Sequence, residues 1–438
     1  MMAEPALGAA TLQEPPAPER EPVASTHDAV VGLTPANQSP QYAFAIVKFA
    51  HRIDRGYSLP DSAEPLAFDL RDEESIPRLV PGSDFHLWKG ATDVVVEGSV
   101  FAPGGRPTPW MDVGLEVGGV RKLVRVFGDR EVSWVGEGRV RFSPPEPFQE
   151  IPLSWSRAYG GVDWRVEVRD DDPRRVRYLS ECDHPGMNPR NPFGRGYVVE
   201  PKDPGERVLL PNLEDPSDLL AEDRFLVRDP ALWYRQPIPW NLGWVHPFMW
   251  PRCVYFFPGV DAWYPGPDDA SMPEVARGLL EPGYRRMMAE HYPGGMHPRF
   301  VQEASHGLAL EGMTGQEDIK LWNLHPDLDE MRFQLPWKEP PRLVFDMDGR
   351  SYPGRPRLHH VVLRPGEGRV LTVWVALQPT PRTYLPGIHR HIPLAVWVQG
   401  EGPVVYETPP TVRDQIDQAR ASVEVDESEM EEEGDVKG

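Results

Sequence analysis

Basic residues are scarce in this chain. Lys and Arg number 46 against 67 Asp and Glu over 438 residues, a formal net charge of −21. A nucleic-acid-binding protein needs a basic face to neutralise phosphate, and an anionic lipid surface attracts basic clusters, so neither partner is expected. Part of the imbalance is local. Ser422 to Gly438 holds eight acidic residues and one Lys, a net of −7, which leaves −14 for the rest. Cysteine is nearly absent: Cys182 and Cys253 are too few for a disulfide framework and form no CxxC pair. Two cysteines in a chain this long fit a reducing cytosol, and whether they pair is open. No window approaches the roughly 18 apolar residues of a membrane span. The first twenty residues, MMAEPALGAATLQEPPAPER, have neither the basic start nor the apolar centre of a secretory signal. The expectation is a protein that stays in the cytoplasm.

Turn formers and aromatics are abundant. There are 52 Pro, 39 Gly and 14 Trp, with 40% hydrophobic residues. A chain rich in all three implies many short strands joined by tight turns around a sizeable core. Period-2 alternation recurs in DVVVEGSVFA (Asp93 to Ala102), VGLEVGG (Val113 to Gly119), KLVRVFGDREV (Lys122 to Val132), RVRF (Arg139 to Phe142) and WRVEVR (Trp164 to Arg169). Such alternation means antiparallel strands with one buried face. Gly118-Gly119, Asp348-Gly349 and the PGEG turn after HHVVLR mark hairpins. IKLWNL, MRFQLP, IPLAVWV and PVVYET add strands, whereas PEVARGLLEPGYRRMMAEHY (Pro273 to Tyr292) reads as a helix broken near Gly283. The predicted fold is mainly β: a large antiparallel sheet or sandwich-like architecture with a few short helices and disordered termini. The expected organisation is a Pro/Ala-rich tail over 1–40, a β-rich domain over 41–410 and an acidic tail over 411–438. Within the domain, subdomains over 41–225 and 300–410 would be joined by an aromatic, Pro-rich segment.

Two stretches stand out. Ser154 to Glu214 contains SWSRAYGG, NPRNPFGRGY and LLPNLE, in which apolar residues are followed at once by Gly or Pro and single Asn residues sit at turn points. It reads as a fixed, irregular path against a β scaffold. Ala231 to Gly266 carries five tryptophans with Pro every few residues. It is either aromatic packing under a long loop or an apolar surface for a partner, with Trp240, Trp244, Phe248, Trp250 and Trp263 as the candidate contacts.

Chemistry-bearing constellations are weak. The glycine clusters fit neither the phosphate-binding loop nor the dinucleotide fingerprint, so no cofactor is expected. His359-His360, His389 and His391 lack neighbouring ligands at metal spacing, and adjacent histidines on a strand face opposite ways; they read as surface or turn residues. Asp93, Glu97, Asp129 and Asp163 could serve a glycosidase, and the sequence singles out none of them. Cys182 and His184 are a loose pair only. Arg130 and Arg157 invite an ion pair, either Asp129–Arg157 or Asp93–Arg130, that pins the irregular loop to the sheet. No catalytic residue and no metal site is expected.

The motifs also come in a distinctive order: TDVVVEGSVFAPGG, RVFGDRE, PPEPFQEIPLSWSRAYGG, NPFGRGY, LPNLE, then EGMTGQEDIKLWNLHP and FQLP. This ordered set resembles the bacterial family known as domain of unknown function 2169, a type VI secretion accessory family, over about Tyr42 to Val398. The residues that carry the likeness are Asp93, Gly98, Gly128, Asp129, Arg130, Arg157, Tyr159, Gly160, Gly161, Asn191, Pro192, Gly194, Gly196, Pro211 and Asn212. The resemblance implies a chaperone or adaptor that stabilises an effector and loads it onto the spike or the PAAR-type spike tip. It brings no catalytic residues. The Ala231 to Gly266 stretch departs from the family pattern, which would fit a different cargo. The alternatives are a carbohydrate-binding or carbohydrate-active β protein and a structural part of the secretion apparatus.

Overall fold

The computed structural model describes residues 27–34, 40–67, 82–167 without 137, 184–249 without 185, 202, 204, 230–232, 234 and 248, residue 252, residues 301–384, and two strands at 394–396 and 404–406. It is mainly β, as the alternation predicts, and has no helix as long as seven residues among those described. Two sheets dominate. The larger has the order His27–Leu33, Tyr42–Asp54, Arg369–Pro379, Arg357–Arg364, Thr92–Val96 and Ala309–Leu310, with Tyr57–Pro60 also paired to Tyr42–Asp54. All of its pairs are antiparallel except Arg357–Arg364 with Thr92–Val96, which is parallel. The second sheet is antiparallel throughout, in the order Leu213–Glu214, Val120–Phe127, Trp110–Val117, Asp318–Trp322, Glu330–Gln334. Both sheets take strands from before residue 225 and from after residue 300, so those two stretches share sheets.

One apolar core runs between the sheets. Val113, Leu115, Val124, Val126, Ile319 and Leu321 point inward from the second sheet and meet Val94, Val96, Val361, Leu363 and Trp374 of the first. The inner residues of Trp110–Val117 alternate with exposed Trp110 and Glu116, the pattern that places one face of an antiparallel strand in the core. Gly118 and Gly119 both have positive φ (56° and 82°), as do Asp348 and Gly349 (54° and 71°). These are the backbone angles of the two-residue hairpin turns predicted there.

The sequence missed two features of this frame. The first strand begins at His27, well before Tyr42; it pairs His27–Leu33 with Ala43–Phe49 and buries Val31. The Asp93–Ala102 run is two strands, Thr92–Val96 and Ser99–Phe101, because Gly98 turns the chain at φ 135°. The helix expected over Pro273 to Tyr292, both cysteines, His389, His391 and the acidic tail lie outside the described residues.

Candidate functional site

Among the described residues, the densest set of ionisable side chains lies where the parallel strand pair meets residues 83–93, 241–247 and 252. In that pair Asp93 and His360 are register partners. The Lys89 ammonium sits between them, 2.5 Å from Asp93 Oδ2 and 3.0 Å from Glu303 Oε2, and it also touches His360 Nε2. An ammonium carries three donors. Here it meets three acceptors, so every N–H of Lys89 is used. On the far side of the ring, His360 Nδ1 faces Asp84 Oδ1 at 3.3 Å. The arrangement that serves both ring nitrogens has Nδ1–H donating to Asp84 and the Nε2 lone pair accepting from Lys89.

The cluster continues in both directions. Asp84 Oδ2 accepts from the Ala67 N–H at 2.7 Å and from Lys48 Nζ at 3.3 Å. Glu303 Oε1 accepts from Arg252 Nη2 at 3.0 Å, and Arg252 Nη1 also donates to the Val245 carbonyl at 2.5 Å. Glu303 N–H donates to Asp93 Oδ2 at 2.8 Å. Lys48, Lys89 and Arg252 thus stand against Asp84, Asp93 and Glu303, so the charges cancel. The side chains of Lys89, Asp93, Glu303 and His360 are 0% exposed. Burial would push the Glu303 carboxyl up, but Lys89, His86 and Arg252 hold it well below the usual carboxylate range. Asp84 is likewise held below its ordinary value against the cost of burial, by His360, Lys48 and the Ala67 N–H. Burial is the largest effect on His86 and His359 and lowers both. Asp93, Glu303 and His360 are also the described residues whose ligand atoms lie close enough, within 4.8 Å of one another, to hold a metal ion. The Lys89 ammonium occupies that space.

This corrects the reading of His359-His360 as surface or turn residues. Both are buried. A parallel strand pair covered on both faces has no solvent side, so side chains on either face of it are buried. A register shift between Leu358 and His360 sets the inward aim of His360. Trp244 packs edge-on against that ring with centroids 5.1 Å apart.

The predicted ion pairs divide. Asp129–Arg157 forms, at 3.6 Å and partly exposed. Asp93–Arg130 does not: Asp93 is bound to Lys89, and Arg130 pairs with Glu214 while donating to the Pro211 carbonyl at 2.9 Å. Arg130 also lies 3.8 Å over the Phe127 ring. The remaining carboxylates suggested for a glycosidase are engaged within the chain. Glu97 accepts from Trp244 Nε1 at 2.6 Å and from Arg364 at 2.6 Å, and Asp163 accepts the Val199 and Glu200 N–H groups at 2.9 and 3.1 Å.

The motif residues of Ser154 to Glu214 build a turn-rich scaffold. Tyr159–Gly160 pairs in parallel with Arg195–Gly196. The Asn191 side-chain amide donates to the Trp155 carbonyl at 2.8 Å and the Tyr159 carbonyl at 3.1 Å. Gly160 has φ 145°, and a Cβ there would lie 2.1 Å from the Asn191 carbonyl oxygen; at Gly128 it would lie 1.7 Å from that of Glu146. At Gly161 and Gly194 the nearest atom would be 2.5 Å away and at Gly196 2.9 Å, whereas Gly98 has open space around it. Pro192 and Pro211 are buried. The Asn212 amide joins the loop to the second sheet by donating to the Phe127 carbonyl at 2.8 Å and to Asp129 Oδ1 at 3.0 Å.

Of the candidate partner contacts, Trp240 donates its indole N–H to the Leu123 carbonyl at 2.6 Å and receives the Lys122 ammonium 4.1 Å from its ring. Trp244 donates to Glu97, and both indoles are partly buried. Phe248, Trp250 and Trp263 lie outside the described residues.

The sequence reading missed Asp84, His86, Lys89 and Glu303. A local signal existed, since GSDFHLWKGATD packs Asp84, His86, Lys89 and Asp93 into ten positions. Glu303 is more than two hundred positions away, and no spacing rule reaches it.

Fold and site together define a mainly β protein of interleaved sheets with a sealed, charge-balanced cluster in its interior. A family model described as an uncharacterized protein conserved in bacteria, DUF2169, matches residues 38–375, and the chain belongs to that family. No curated protein and no solved structure matches it.

Proposed function

We propose that this chain is a cytoplasmic accessory protein of a type VI secretion system, a chaperone or adaptor that stabilises an effector and helps load it onto the spike or its PAAR-type tip. The type VI assignment rests on the ordered motif set from Thr92 to Pro336. One observation carries the preference for binding over catalysis: the richest ionisable cluster among the described residues has its central side chains fully buried and all its charges compensated. A catalytic group must reach its substrate, and this cluster offers it no approach. The work is then done at the surface, on a rigid β frame that presents segments to a protein partner. Co-purification of the tagged full chain with the effector and spike proteins encoded beside it tests the reading. Recovery of either partner supports it, and recovery of neither, at native expression, rejects it.

A further inference from the structure

We propose that the acidic stretch Glu424 to Asp435 lies across the exposed arginines Arg342, Arg355 and Arg357 of the same chain, as an intramolecular cover. These arginines flank the hairpin of Val344–Met347 and Arg350–Pro353. Over 338–357, Lys338, Arg342, Arg350, Arg355 and Arg357 are all exposed, and none forms an ion pair among the described residues. The acids of that span are Glu339, Asp346 and Asp348, and Asp348 is taken by Arg382 at 2.8 Å. An unpaired basic surface is out of keeping with a chain whose net charge is −21. Three of the five basic residues share one side of the hairpin. Val344 pairs with Pro353 and the Leu343 carbonyl accepts the Gly354 N–H at 2.8 Å, which puts Arg342 opposite Arg355. From Pro353 to Arg357 exposed residues alternate with half-buried ones, so Arg355 and Arg357 look out the same way.

The path of the chain selects the occupant. Leu394–Val396 lies beside Val344–Met347 and pairs with Val404–Tyr406, so the residues after Tyr406 start from the neighbourhood of this hairpin. Eighteen positions lead from Tyr406 to Glu424, enough to span up to about 60 Å, so reach does not limit the contact. Ser422 to Gly438 carries a net −7, and all eight of its acidic residues fall within Glu424 to Asp435. Single surface ion pairs are weak, but a tether raises the local concentration to on the order of millimolar, and several weak pairs then act together. The cover leaves the arginines open only to a partner surface acidic enough to displace it.

The test is zero-length cross-linking of the full wild-type chain with a water-soluble carbodiimide, read by mass spectrometry. The reagent joins a carboxylate to an amine in contact with it, and Lys338 is the exposed amine four positions before Arg342. The expected result is bonds from Lys338 to the carboxylates of Glu424 to Asp435, in clear excess over bonds from the partly exposed Lys320. Raising salt from about 0.1 M to about 1 M, which shortens the screening length from about 10 Å to about 3 Å, should remove them. Charge reversal by Arg342→Glu, Arg355→Glu and Arg357→Glu together should do the same with the melt by circular dichroism unchanged. Should the reversal unfold the chain, Arg355→Gln with Arg357→Gln, which removes charge alone, gives the same reading. Mixing isotopically labelled and unlabelled chains separates a cover within one chain from one supplied by a second copy. Absence of Lys338 bonds, bonds that survive charge removal or high salt, equal yield at Lys320, or bonds between labelled and unlabelled chains each overturn the proposal.

Discussion

Arg252 and Glu303 are 51 positions apart in sequence, and their side chains meet at 3.0 Å inside the protein. The same place holds the Val245 N–H to Glu303 carbonyl bond at 2.6 Å and the bridge between Trp244 and Ala304. Arg252 and Glu303 are therefore neighbours within the scaffold. Because Arg252 and Glu303 are in contact, a short Gly/Ser linker in place of 254–300 can join the two ends, and the two-sheet frame, whose described strands all lie outside that span, should form without it. The expected outcome is a cooperative melt within a few degrees of the full chain, by circular dichroism. Loss of cooperative unfolding would show that the frame depends on the excised residues.

Glu303 joins Lys89, Arg252 and the His86 ring in the buried cluster. Glu303→Ala leaves one positive charge of the buried cluster uncompensated and should cost about 3–5 kcal/mol. Denaturant titration at pH 7 measures this. A loss below about 1 kcal/mol would mean that the cluster admits water.

Acid should act on the same groups. Asp84 and Glu303 have folded pKa values below their ordinary 3.8 and 4.5. The unfolded chain binds more protons in that range, so their contribution is complete above about pH 4.5 and is lost as pH falls further. His51 and His246 act at higher pH. Burial lowers each from 6.5 to about 4, so stability declines as pH falls from 6.5 towards 4. His51→Phe should flatten the stability profile between those pH values, read as the urea midpoint against pH. An unchanged slope would remove His51 from the account.

Gly160 tests the scaffold of the motif loop. With φ 145° and the Asn191 carbonyl 2.1 Å from the Cβ position, Gly160→Ala should cost well over about 2 kcal/mol. Gly312→Ala, also at positive φ (75°) but with open space around it, should cost about 1 kcal/mol. Comparable losses at the two sites would contradict the close packing of 158–161 against 191–196.

How much of this the sequence revealed depends on the range of the interaction. Val113, Leu115 and Val117 announce their strand because alternation is local, and Gly118-Gly119 announces its turn because positive φ is local too. The ordered motifs of Ser154 to Glu214 proved to be scaffold, held by Asn191 and Asn212. The cluster was legible only in its local part, Asp84 to Asp93. Lys89 and Asp93 are four residues apart, but the burial that gives them meaning needs Lys48, Arg252, Glu303 and His360 from distant segments. Asp93 was singled out and given the wrong partner, Arg130, because proximity in the motif list is not proximity across a sheet. His27–Leu33 escaped because seven residues after a Pro-rich tail become a strand only against Tyr42–Asp54.

The central claim is that the chain serves another protein. Quantitative mass spectrometry of the neighbouring effector, in cells with and without this chain, tests it most directly. The account predicts that effector abundance falls on deletion and returns when the wild-type chain is supplied. Unchanged effector abundance, together with undiminished delivery, would contradict it.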